Sequence, residues 1–117
     1  MPEESLMELC RRLVASSRES LESAMVVTED GVILAHNPVD RVNEDAAAVG
    51  AAVVAGLKYI SEHYGLGKVS RFDVDLVSGG ARRKLVMKPM EGGKILILIT
   101  SQRPNLGLID LLLEQVR

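Results

Sequence analysis

The chain has 117 residues, of which 47% are hydrophobic and 26% charged, with a formal net charge of −2 and one cysteine. That length fits one domain, residues 1–117, able to bury about two thirds of its unfolded surface without metal or disulfide support. The near-neutral charge argues against a nucleic-acid or anionic-membrane binder, whose phosphate contacts need a basic excess, and 3% aromatics leave few platforms for stacking bases.

Glu3, Glu4 and Glu8 stand where a signal peptide needs basic residues and an apolar run, so a cytoplasmic protein is expected. A first helix over about 4–18 carries the apolar stripe Leu6, Leu9, Cys10, Leu13 and Val14, which makes Cys10 a buried small hydrophobe. Ala24–Thr28 and Val32–Ala35 flank Glu29-Asp30-Gly31, and an Asp-Gly step between apolar runs predicts a hairpin because glycine supplies the positive φ of the turn.

Residues 37–42 then cross into a second helix over about 43–64, with Asn43 as N-cap, Glu44 and Asp45 in its first turn and Gly65 as its stop. From Ala46 to Leu57 this helix has no charge. Val49, Val53, Gly56, Leu57, Ile60 and Tyr64 form one stripe, assigned to the sheet. The remaining sides, Ala47, Ala48, Gly50, Ala51, Val54 and Ala55, are apolar too. A membrane span needs about 20 apolar residues, more than this run supplies, so no membrane insertion is expected. The second face is therefore expected to meet the same helix of another copy across a two-fold axis, the alternative being cover by the chain's own first helix.

Gly65-Leu66-Gly67 leads into a strand over about 69–77, in which Phe72, Val74 and Leu76 alternate with Arg71, Asp73 and Asp75 in the manner of an edge strand. Ser78-Gly79-Gly80 turns into a strand over about 82–90, and Glu91-Gly92-Gly93 turns into Ile95–Ile99, whose apolar character on both faces places it mid-sheet between helical layers. Pro104-Asn105 opens a last helix with Leu108, Ile109, Leu111, Leu112 and Val116 on its apolar side. The expected fold class is α/β (α+β): a three-layer sandwich on a five-stranded antiparallel or mixed sheet, in the order helix-strand-strand-helix-strand-strand-strand-helix.

Chemistry-bearing patterns are sparse. His36 and His63 have no second ligand at zinc-like spacing, and His63 suits the dipole at a helix end. Gly65-Leu66-Gly67-Lys68 lies between a helix end and a strand, the reverse of a phosphate loop. Arg82-Arg83-Lys84, with Lys88 and Lys94, reads as charge protecting an edge or as a surface for an acidic partner. Asp73 with Asp75, and Glu44 with Asp45, lack a nearby nucleophile or oxyanion donor. Met25, Met87 and Met90 are expected to fill core gaps. Neither catalysis, a cofactor nor a metal is expected.

The hairpin Ala24–Ala35, the Ala/Gly-rich second helix, the Gly65-Leu66-Gly67 step and the closing Asn105-Leu106-Gly107-Leu108-Ile109 together resemble a Roadblock domain, of the dynein light-chain and small-GTPase regulator family, over about residues 4–116. The resemblance implies a profilin-like or longin-like sandwich, dimerised by antiparallel second helices and by third strands joined edge to edge. It also implies a non-enzymatic regulator, scaffold or adaptor of a Ras-like small GTPase, as a homodimer or with a paralogous Roadblock subunit. The positions that map onto that platform are Ala47, Ala48, Gly50, Ala51, Val54, Ala55 and Lys58, with third-strand residues 69–76. If the third strand pairs with its own copy, centring on Phe72 sets Arg71 opposite the partner's Asp73, worth about 0.2–1 kcal/mol over registers that oppose carboxylates. A small-molecule-sensing profilin-like module is the alternative, which needs a pocket with convergent polar groups.

Overall fold

The computed structural model describes residues 4–38 and 41–117, with the backbone alone at 41–48. Along the chain run α1 (Leu6–Ser16), β1 (Leu21–Thr28), β2 (Ile33–Asn37), α2 (Arg41–His63), β3 (Phe72–Ser78), β4 (Ala81–Met90), β5 (Lys94–Thr100) and α3 (Leu106–Glu114). The strands form one sheet in the order β2-β1-β5-β4-β3, antiparallel at every pairing. The expected element order, the α+β class and the edge position of β3 all hold.

β5 sits mid-sheet because both of its faces are apolar. Leu96 and Leu98 join a core with Leu9, Cys10, Leu13, Ile109 and Leu113 of α1 and α3. Ile95 and Ile97 join a second core with Met25, Met87 and the α2 residues Ala51 and Val54. Helices therefore cover both faces, two on one side and one on the other. Met25 and Met87 are buried, and Met90 packs on the first core.

Local signals act as expected at several turns. Gly31 takes φ +87° in the β1–β2 turn, and the Gly31 amide donates to the Thr28 carbonyl at 3.0 Å. Gly65 (φ +65°) ends α2: the Leu66 amide donates to the Ser61 carbonyl at 2.8 Å and the Gly65 amide to that of Glu62 at 3.3 Å, a Schellman arrangement. Asn105 caps α3, its side chain accepting from the Leu108 amide at 3.1 Å. At the far end of that helix Lys88 Nζ donates to the carbonyls of Leu113 (2.6 Å) and Val116 (2.7 Å), placing a cation where helix carbonyls lack partners.

Three expectations are corrected. α2 starts at Arg41, so Asn43 is inside the helix and is not its cap. β4 lies between β5 and β3, so the Arg82–Lys84 run is not at a sheet edge; Arg83 pairs with Glu22 at 3.0 Å and Lys84 with Asp75 at 3.5 Å. The phase of α2 is also turned. Gly50, Ala51 and Val54 face the sheet and are buried, whereas Val49, Gly56, Ile60 and Tyr64 of the expected core stripe are exposed; Val53 and Leu57 are half-buried. A helix that is apolar all round carries no phase in its hydrophobic pattern, so packing against the sheet decides instead. Gly50 faces inward because α2 lies close on β5 there: a Cβ added at Gly50 would stand 2.7 Å from Ile97 Cδ1 and 3.1 Å from Met87 Sδ.

Candidate functional site

Turning α2 this way leaves its outer side apolar. Val49 is 61% exposed, Tyr59 69%, Ile60 49% and Tyr64 70%, and Ala52, Ala55 and Gly56 are exposed between them. At about 100° per residue, Ala52, Gly56, Tyr59 and His63 fall within about 60° of one another, a straight seam of small side chains at its middle and rings at its end. The His63 ring stacks on Tyr59 with centroids 5.7 Å apart and meets Tyr64 edge-on at 5.1 Å. Beside the seam, Lys58 Nζ donates to Glu29 Oε1 at 2.6 Å, tying the helix to the β1–β2 turn; that contact raises the Lys58 pKa.

The same side of the sheet continues to the open edge at β3. Phe72 and Val74 pack partly on the second core, and Leu76, next on that side, is 42% exposed. On the opposite side of β3, Arg71 donates from Nε to Asp73 Oδ1 at 2.8 Å and from Nη2 to Asp73 Oδ2 at 3.0 Å, and its Nη1 donates to Asp110 of α3. These hydrogen bonds, that to Asp73 foremost, raise the Arg71 pKa and fix the entry of β3 against α3.

Of the residues expected at an interface, Ala55 is on the outer face and Lys58 on its flank, while Arg71, Phe72 and Asp73 stand together at the β3 edge. Gly50, Ala51 and Val54 are consumed by the protomer's own core, and Ala47 and Ala48 lie outside the described side chains. Val49, Gly56 and Ile60, expected against the sheet, and Ala52 and Tyr59, given no face in the sequence reading, are exposed on the outer side. Tyrosine was the available signal, since a ring with a polar tip favours an outward position over a core one.

Cys10 is fully buried, and desolvation pushes its thiol up to about 11, away from nucleophilic chemistry. Ser23 Oγ and His36 Nδ1 are buried without a hydrogen-bond partner among the described residues, so neither forms a nucleophile–base couple there. No group of three or more His, Cys, Asp or Glu among the described residues is placed to hold a metal, and no described helix is long and apolar enough to cross a membrane.

No family model and no curated protein matches the chain. Solved structures do. A Roadblock/LC7 domain from Streptomyces avermitilis aligns with TM-score 0.81 at 18% identity, covering 94% of this chain and 89% of that one. Myxococcus xanthus MglB aligns with TM-score 0.75 at 19% identity, over 94% and 86% of the two chains. Profilin IB of Acanthamoeba castellanii aligns with TM-score 0.61 at 14% identity, over 95% and 92%. The architecture is thus that of the profilin-like sandwiches. Within that class the chain has the Roadblock/LC7 fold.

Proposed function

We propose that this chain is a non-enzymatic, homodimeric regulator or scaffold of a Ras-like small GTPase. The observation that carries the reading is the outer face of α2, an apolar seam that no element covers among the described residues. Obligate interfaces resemble a core cut in half, and a seam with small residues at its centre lets two helices approach closely about a two-fold axis. A second α2, antiparallel to the first, covers Val49, Ala52, Gly56 and Tyr59 and reaches toward Leu76 beyond. The β3 edge extends the contact: with Phe72 at the axis, each Arg71 faces the partner's Asp73, adding to the pair that each protomer already makes. The paired helices then present one continuous platform to the GTPase.

Sedimentation equilibrium of the wild type, Ala52→Glu and Gly56→Glu tests the assembly. Both positions are exposed in the protomer, so the variants are expected to fold and to run as monomers, while the wild type runs as a dimer at concentrations of about 10 µM, ordinary for an interface of standard size. Binding of a GTP-loaded Ras-like GTPase from the same cell is expected to weaken at least about tenfold in either variant. A wild type that stays monomeric, or glutamate variants that dimerise normally, overturn the reading.

A further inference from the structure

The two open edges of the sheet are finished differently. Residues 31–39, which contain β2, carry no charge, whereas the β3 edge carries Arg71, Asp73 and Asp75 at alternate positions, on the face turned from α2. Arg71 Nε and Nη2 hold the two oxygens of Asp73, at 2.8 and 3.0 Å, and Nη1 holds Asp110 of α3. Asp75 is served from within the sheet, by Lys84 at 3.5 Å. A guanidinium has five N–H groups, so two of those on Arg71 remain among the described residues, and each Asp73 oxygen keeps a further lone pair. The two side chains are 30% and 31% exposed, within reach of a neighbouring chain.

We propose that Arg71 and Asp73 make this edge self-selective, so that the chain added at β3 is a second copy and not a subunit with a different edge. The selectivity presupposes the dimer proposed above and adds to it the identity of the partner. When two copies of a strand pair antiparallel about a two-fold axis, the residue at the axis meets itself and its neighbours meet in exchange. With Phe72 at the axis, Arg71 meets the partner's Asp73 and Asp73 meets the partner's Arg71. Two ion pairs laid head to tail then form a rectangle of four charges whose adjacent corners are opposite in sign. Every nearby axis opposes like charges: Arg71 meets itself about Arg71, Asp73 meets itself about Asp73, and Asp73 meets the partner's Asp75 about Val74. Pairing about Phe72 carries the strand back over residues 69–71 and keeps Phe72 and Val74 on the side of the second core, continuous with the apolar face there. Charges of one sign on an edge repel any added strand; this order of signs admits its own image, in one register.

Charge exchange, read by sedimentation equilibrium and by native mass spectrometry of mixtures, tests the selectivity. Asp73→Arg and Arg71→Asp each set like charges opposite one another twice per dimer, and each is expected to weaken self-association at least about tenfold. Mixed together, these two variants are expected to form a heterodimer within about threefold of the wild-type affinity, because both cross-strand pairs are restored. Recovery in the mixture also shows that neither variant lost association by misfolding. The doubly exchanged chain, Arg71→Asp with Asp73→Arg, is expected to dimerise with itself but not with the wild type. Single exchanges that self-associate like the wild type, or a doubly exchanged chain that mixes freely with it, overturn the selectivity while leaving the α2 seam in place. A monomeric wild type overturns the dimer and the selectivity together.

Discussion

The two faces of the sheet are finished differently. On the α1/α3 side, thirteen buried residues close a core under two helices, and Lys88 ties down the end of α3. On the α2 side, seven buried residues lie under one helix whose back is itself apolar. One face is completed within the chain; the other leaves the apolar back of α2 exposed, the surface that the proposed dimer covers. The difference teaches where stability and association should be separable.

The largest separation should come from the sealed core. Leu98→Ala removes a side chain that is buried against α1 and α3, and is expected to cost about 4 kcal/mol in denaturant unfolding while leaving dimerisation of the surviving folded protein intact. A loss below about 1 kcal/mol would mean that this face is not the tight one.

Water exclusion on the same face can be read through Cys10, whose thiol is raised from an ordinary 9.0 to about 11 by burial. The unfolded chain gives up this proton near pH 9, whereas the folded chain holds it until about pH 11, so the unfolded state gains between those values. Folded stability should decline across that window by about 2 kcal/mol more in the wild type than in Cys10→Ala. Equal declines in stability-versus-pH curves would place water at the thiol.

The smallest effects should divide the two glycines of α2. Gly50→Val forces bulk against Ile97 and Met87 and is expected to destabilise by about 2 kcal/mol. Gly56→Ala meets nothing within 4 Å in the protomer, so helix propensity alone should stabilise an isolated protomer by roughly 0.5–1 kcal/mol, while the added methyl loosens a close helix pair. Thermal melts together with sedimentation distinguish these effects. Similar destabilisation by both would mean that the face assignment of α2 is wrong.

Much of this arrangement was legible in the sequence. Alternation along Phe72, Val74 and Leu76 placed β3 at an edge, the unbroken Ile95–Ile99 run placed β5 in the middle, and Asp30-Gly31 marked the hairpin. The candidate site was half legible. The existence of a second apolar face on α2 could be read from the absence of charge, but not its direction, because alanine, glycine and valine on every side supply no contrast. The close approach of Gly50 to Ile97, which sets that direction, is a property of packing between segments far apart in the chain.

β5 has one more consequence. Because leucine and isoleucine fill both of its sides, sliding this strand by a single residue would exchange Leu96 and Leu98 for Ile95 and Ile97 with little change in buried oiliness, so its own side chains cannot hold it in place. Alignment must be imposed from the ends. The tight reversal through Gly92 (φ +79°) and Gly93 (φ +71°), which sets Met90 across from Lys94, acts as the peg that keeps the two cores from trading partners.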